Sequence, residues 1–128
     1  MDDRAESVVR RFLASWEDLT AEGMASWFAE DGVFNDGPRG IHEGRDAIRA
    51  AAASFPPTSS ELVRVVSDDN VVATERIDRF EYGGEPFALP VVGIFVVDDD
   101  GLIAVQNDYY DMKGMLEQLA AAGIGTGS

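Results

Sequence analysis

The chain has no cysteine and one histidine in 128 residues. Without cysteine there is no disulfide framework and no thiol nucleophile, and the redox compartment stays open. The lone histidine, His42, excludes a histidine-rich zinc or iron site and a Ser-His-Asp triad, and its setting predicts a surface loop. Positive charge is also scarce: 10 Lys and Arg against 24 Asp and Glu give a net charge of −14. Such a surface repels phosphate backbones and anionic lipid, so neither nucleic acid nor membrane is an expected partner. No apolar run approaches the roughly 18 residues of a membrane span, and no charged start followed by an apolar run opens the chain. A cytoplasmic location is the resulting expectation. There is no glycine-rich phosphate loop. The Asp98-Asp99-Asp100-Gly101 run lacks the spaced acids and closing glutamate of a calcium loop and reads as a solvated hairpin turn. Neither metal nor other cofactor is expected.

What is present fits a globular protein, with 45% hydrophobic and 27% charged residues. The length suits one domain, expected over 1–122 with a frayed tail at 123–128. Val8, Val9, Phe12, Leu13, Trp16 and Leu19 recur at spacings of three and four and predict an opening amphipathic helix. Thr20 is the expected N-cap of a short helix over 21–29 with Met24, Trp27 and Phe28 inward, broken by Glu30-Asp31-Gly32. A strand over 33–36, a loop at 37–40 and a helix from Gly44 to the Pro56-Pro57 stop follow. Strands are then expected over 60–66, 71–82, 87–97 and 102–110. The third of these, apolar nearly throughout, reads as a central strand covered on both faces. A closing helix over 112–122 is expected to pack Met115, Leu116 and Leu119. Helices first and an antiparallel run of strands after them imply an α+β domain, with three to four helices over one face of a sheet of about five to six strands.

Two places break the strand pattern. Residues two apart in a strand share a face, so Val72, Thr74, Arg76, Asp78 and Phe80 lie together, and a guanidinium and a carboxylate sit among apolar neighbours. Asp108 then stands near the end of the apolar stretch Leu102 to Tyr110. Two carboxylates and an arginine on neighbouring strands suit acid–base chemistry without a nucleophile. The plain alternatives are a solvated Arg76–Asp78 pair on an exposed face, and an Asp108 that only leads into a turn with Asp111 as helix N-cap. Asp36 fits its own Asp-Gly-Pro turn as well as a chemical role. Phe34 and Tyr110 read as pocket lining or core; Tyr110 shares the face of Asp108.

Thr74-Glu75-Arg76-Ile77-Asp78, Val92-Gly93-Ile94-Phe95 and Asp108-Tyr109-Tyr110-Asp111 resemble the limonene-1,2-epoxide hydrolase family, within the nuclear transport factor 2-like or ketosteroid isomerase-like fold group. Trp27 to Val33 and Gly44 to Ile48 fit the fold group more generally. The resemblance covers about residues 6 to 120. It implies a curved mixed or antiparallel sheet whose helices close a cone-shaped pocket, a homodimer formed through the outer sheet face, and cofactor-independent addition of water to a small apolar epoxide. By motif, Asp108 takes the role of base toward water, Asp78 that of acid toward the epoxide oxygen, and Arg76 bridges them. The family's tyrosine and asparagine that hold the water are Phe34 and Asp36 here, and Tyr110 offers a replacement hydroxyl.

The same fold group supplies other readings. Asp36 lies close to where isomerases and polyketide cyclases carry a general base, which allows ketone isomerisation or epoxide opening by an internal hydroxyl. Gly93 and Phe12 stand where those isomerases carry an oxyanion-stabilising acid and a tyrosine. A non-catalytic domain using the cone as a ligand pocket is the third reading, since fold alone does not assign function.

Overall fold

The computed structural model describes residues 3–123; the expected tail therefore lies, beyond Gly123, outside the described residues. Helix α1 (Arg4–Ala14) leads through a tight turn at Trp16–Asp18 into α2 (Ala21–Ser26), β1 (Phe28–Asn35), a turn at Gly37–Arg39, β2 (Ile41–Glu43) and α3 (Arg45–Ala52). Strands β3 (Thr58–Asp68), β4 (Val71–Tyr82), β5 (Glu85–Val97) and β6 (Ile103–Tyr110) follow, and α4 (Met112–Ala121) closes the series. The strands form one open six-stranded sheet in the order β2-β1-β6-β5-β4-β3. Strands β3 to β6 are an antiparallel meander, whereas β1 pairs parallel with β6, which makes the sheet mixed. The α+β class, the strand number and the helix number agree with expectation.

Local physics explains where the elements depart from it. The first helix stops at Ala14, before Trp16 and Leu19; the Ser15 hydroxyl donates to the Phe12 carbonyl at 2.7 Å, and the chain tightens into the following turn. Thr20 caps α2 as anticipated, its Oγ1 accepting from the Gly23 amide at 2.9 Å. That helix ends at Ser26 instead of Ala29, because pairing with β6 captures the backbone. Ile103 N–H donates to the Trp27 carbonyl at 2.9 Å, and Phe28 aligns with Ile103. The supposed break at Glu30-Asp31-Gly32 is instead a register irregularity inside β1. His42 lies in β2, half-buried, with its ring 5.9 Å from that of Phe34; the surface-loop expectation for it is corrected.

The core sits between α1 to α3 and the inner sheet face. Phe12 is its hub, with the rings of Trp16, Trp27, Phe28 and Phe95 at 5.5–6.2 Å. The expectation that both faces of β5 are covered is corrected: Phe87, Leu89, Val91, Phe95 and Val97 are buried, while Val92 on the other face is 46% exposed. On α4, Met115 and Leu119 face inward but Leu116 is exposed, which corrects the expected packing of all three. That helix is fastened to β5 by the Gln118 amide, whose Nε2 donates to the Ala88 carbonyl at 3.0 Å and whose Oε1 accepts from the Ala88 amide at 3.3 Å. Among the described residues, no helix is long and apolar enough to cross a membrane.

Candidate active site

Alternation along β4 turns Val72, Thr74, Arg76 and Asp78 to the inner face, where each is buried. Register then brings in the neighbouring strands: Thr74 lies beside Gly93 of β5, and Gly93 beside Asp108 of β6. A charged cluster is thereby assembled across three strands, and the solvated-pair reading of Arg76 and Asp78 is overturned. Arg76 Nε donates to Asp78 Oδ1 at 2.9 Å and Nη2 to Asp78 Oδ2 at 3.3 Å. Nη2 also donates to Asp108 Oδ2 at 2.7 Å. One guanidinium thus holds two carboxylates, each by geometry that favours charge-assisted bonds.

Several neighbours fix this arrangement. The Trp16 ring covers the guanidinium at 5.1 Å, a cation–π contact inside a dry site. Thr74 Oγ1 accepts from Arg76 Nη1 at 3.4 Å and donates to the Gly93 carbonyl at 3.2 Å. Gln106 Nε2 donates to Asp108 Oδ2 at 3.1 Å. Gly93 is where the backbone of β5 must pass this cluster closely. A methyl on it would collide with Arg76 Nη1 and lie 2.9 Å from Asp108 Oδ1 and 3.0 Å from Thr74 Oγ1. Room for a guanidinium is the physical reason for glycine at that position.

Electrostatics acts on Asp78 in opposing directions. Burial pushes the Asp78 carboxyl above the ordinary carboxylate range; the charge and hydrogen bonds of Arg76 pull it back, and the Asp108 charge pushes it further up. For Arg76 burial opposes the charged form, but Asp108 and Asp78 outweigh it and keep the guanidinium protonated. With one cation among two carboxylates, a proton on Asp78 leaves the cluster neutral. Asp108 Oδ1 is buried and has no partner among the described residues, so this oxygen is free to accept a proton or a hydrogen bond. Arg76 itself occupies the place between the carboxylates that a cation would take.

The cluster opens into a cavity of about 500 Å³. Asp78, Asp108, Asp36, Phe34 and Tyr110 all line it, so every candidate of the sequence reading except the buried Arg76 meets its surface. Phe34 is also core, its ring tilted against Phe28 and edge-on to Phe55. Asp36 is only 3% exposed, and its carboxylate lies 3.2 Å from Arg39 of its own turn, so the turn role and a chemical role both stay open. Burial raises its carboxyl, Arg39 opposes this, and Asp108 adds to it. Tyr110 accepts from Arg39 Nε at 2.8 Å and donates to the Asp36 carbonyl at 3.0 Å; its hydroxyl is committed to this corner. Its single O–H is thereby used, so toward a water this hydroxyl has only an acceptor to offer. Asp111 occupies the N-cap position of α4 but makes no side-chain cap bond.

Sequence reasoning did not single out Arg39, Gln106 or Trp16. Gln106 was within reach, standing two residues before Asp108 on one strand. Arg39 was not, because its partner Tyr110 lies 71 positions away.

A family model described as the SnoaL-like domain matches residues 9–106. The chain belongs to the SnoaL-like family. Three solved structures are similar over nearly the whole chain. A protein of ketosteroid isomerase-like fold from Catenulispora acidiphila, in complex with trimethylamine, is 22% identical with a TM-score of 0.79, covering 92% of this chain and 93% of that one. An epoxide hydrolase from M. tuberculosis, described as LEH-like, is 24% identical with a TM-score of 0.77, covering 94% and 95%. SalBIII, an epoxide hydrolase/cyclase-like enzyme with a role in pyran ring formation in the polyether salinomycin, is 16% identical with a TM-score of 0.78, covering 87% and 93%. These likenesses show the fold, the ketosteroid isomerase-like one by which the Catenulispora protein is described.

Proposed function

We propose that the Arg76 cluster is the active site of an epoxide hydrolase that adds water in one step. The observation that carries this reading is the forked hold of Arg76 on Asp78 and Asp108, with Asp108 Oδ1 left buried and unpartnered. Water seated at Oδ1 gives a proton to Asp108 while its oxygen attacks an epoxide carbon. The ring C–O bond breaks, and the departing oxygen takes the proton of Asp78. The product is a vicinal diol; Asp108 ends protonated and Asp78 ionised. Return of one proton from Asp108 to Asp78 restores the starting state. Arg76 keeps both groups in place through the exchange. Each acid–base group typically supplies roughly 10²–10⁴-fold, and the strained ring with a positioned water contributes the rest.

Burial supports the division of labour, since it raises the Asp78 carboxyl above the ordinary carboxylate range, the direction a proton donor needs. Similarity to the mycobacterial epoxide hydrolase and to SalBIII supports the reaction class. Asp36 replaces the neutral amide of the limonene-1,2-epoxide hydrolase pattern, and Arg39, 3.2 Å from its carboxylate, offsets the added charge.

One observation favours a second reading, epoxide opening by a hydroxyl of the substrate itself. Phe34 has no hydrogen bond to give a water, and the Tyr110 hydroxyl is committed elsewhere. A substrate carrying its own nucleophile needs no such holder, and Asp108 then deprotonates that hydroxyl to close a ring. Ketone isomerisation is disfavoured by Gly93, where an acidic side chain has no room.

A panel of epoxides in heavy-oxygen water separates these readings. Direct hydrolysis puts label into the diol during the first turnover, and Asp108→Asn abolishes it, with a loss of at least about 10²-fold. Unlabelled oxygen in the first-turnover diol sinks the one-step reading. Cyclic ether from hydroxy-epoxides, with no diol from the others, moves the assignment to cyclase chemistry.

We also propose that a second copy of the chain covers the outer sheet face, where Val66, Val71, Val92 and Tyr109 are all exposed.

A further inference from the structure

Arg39 belongs to the cavity but takes no part in the proton transfers proposed above. Its guanidinium lies between two rings, 5.4 Å from the centre of Phe55 and 5.6 Å from that of Tyr110. Nε is bonded to the Tyr110 hydroxyl at 2.8 Å, and Nη2 lies 3.2 Å from Asp36 Oδ2. These contacts fix the plane of the group. Nη1 has no partner among the described residues. The other cation of the site, Arg76, is 0% exposed and fully used, whereas the Arg39 side chain is 42% exposed. The cavity therefore offers one accessible, pre-oriented cationic donor on a wall that is otherwise largely apolar, including Leu89, Val91 and Met115.

We infer that Arg39 is a specificity-determining residue whose Nη1 takes a neutral carbonyl oxygen of the substrate, so that the substrate class is a carbonyl-bearing epoxide and not a plain hydrocarbon epoxide. The inference rests on the reading above only in taking this cavity as the substrate site. A donor held rigid by two rings and two bonds loses little freedom on binding, and its hydrogen bond contributes correspondingly more. Charge selects the neutral oxygen over a carboxylate. Asp36, 3% exposed, already lies against Arg39, Asp108 lines the same cavity, and the chain carries −14 overall. An added anion meets that repulsion, while a carbonyl dipole does not.

Three inert ligands of nearly one shape test this: benzylacetone, hydrocinnamate and isopentylbenzene, titrated against the intrinsic tryptophan fluorescence, which comes from Trp16, lining the cavity, and from Trp27 in the core. Binding is read without turnover, so failure of the hydrolase assignment and failure of this one are separate results. The wild type is expected to bind benzylacetone about tenfold more tightly than isopentylbenzene, the worth of one hydrogen bond from a charged donor. Arg39→Met is expected to erase that difference. Hydrocinnamate is expected to bind no better than benzylacetone. Equal affinity for ketone and hydrocarbon in the wild type, or a preference that survives in Arg39→Met, overturns the inference. Tightest binding of hydrocinnamate, lost in Arg39→Met, overturns the neutral-oxygen class in favour of a carboxylate. Should Arg39→Met fail to fold, as judged by circular dichroism, Arg39→Lys keeps a charge beside Asp36 without the planar fork. An undiminished ketone preference in that variant also overturns the assignment.

Discussion

At the scale of single residues, the buried acids tie function to stability through one quantity. Asp78 sits beside a cation and still has its carboxyl raised, because burial outweighs what Arg76 returns. The folded protein therefore holds a proton on this group over a range in which the unfolded chain has released it. By linkage, the contribution is favourable below the ordinary carboxylate value of about 3.9 and is lost as pH rises through the raised folded value. Near neutrality the wild type bears a cost that Asp78→Asn removes, while Asp108 still pairs with Arg76. The variant is expected to melt roughly 3–6 °C higher than wild type at about pH 8, the size of shift that ~1 kcal/mol produces in a chain of this length. The gain should shrink as pH falls and vanish below about pH 3, where the group is protonated in both states. Thermal denaturation at the two values checks this, and a constant difference across pH assigns the effect to packing instead. Turnover behaves oppositely: the same substitution removes the proposed acid, so stability rises while epoxide opening falls. That opposition separates a working pair of acids from a structural ion pair, whose loss is destabilising at neutral pH.

At the scale of elements, the cluster depends on how closely β5 passes between β4 and β6. Gly93 is in register with Thr74 on one side and Asp108 on the other, and any side chain there meets the guanidinium. Gly93→Ala is expected to cost about 1–3 kcal/mol, as overpacking of a tight interior does, and to displace Arg76 from Asp108. Chemical denaturation gives the first figure. Loss of epoxide turnover in protein that is still folded gives the second, and a fully active, equally stable variant contradicts the close-packed geometry. Periodicity of two made β4 legible in the sequence, and with it Arg76, Asp78 and their shared face. Asp108 was legible because a carboxylate stands out on an apolar strand. Strand β2 was not, since its three residues are too few to show a period. Nor was the start of β1, where Phe28 and Ala29 continue a helical pattern and Glu30-Asp31-Gly32 reads as its break, until pairing with Ile103 overrides both. The parallel β1–β6 pairing is likewise a product of topology. It brings the turn at Gly37–Arg39 against the end of β6, which is why the Arg39–Tyr110 half of the site had no signature in either segment alone.

At the scale of the whole molecule, charge and apolar surface pull in different directions. The inner sheet face is buried, whereas the outer face keeps Val66, Val71, Val92 and Tyr109 between 40% and 62% exposed. Register gathers them: Val92 sits beside both Tyr109 and Glu75, and Glu75 is already paired with Arg64 at 2.9 Å. Around Val92 and Tyr109 the outer face is thus apolar or internally neutralised, while the excess of −14 is a property of the whole chain. Two copies meeting through this face in a closed, two-fold pairing bury the patch once from each side. Their association must work against the mutual repulsion of two acidic bodies, and that repulsion is screened over about 10 Å at 0.1 M salt. Dimerisation is therefore expected to strengthen as salt is raised from low to moderate concentration, the reverse of an interface built on opposite charges. Tyr109→Glu places a charge beside Val92 in the patch and is expected to weaken the dimer roughly tenfold or more, as loss of a large aromatic contact does. Sedimentation equilibrium across a salt series reads both effects. A monomer at all concentrations removes the second copy from the outer face, and a dimer indifferent to Tyr109→Glu moves the interface elsewhere. Because Tyr109 and Asp108 are consecutive and face opposite sides of β6, the substitution also tests whether the two faces act independently. Epoxide turnover unchanged in a monomeric Tyr109→Glu variant makes each cavity self-sufficient. Turnover that falls with the dimer makes the outer face a support for the strand that carries Asp108.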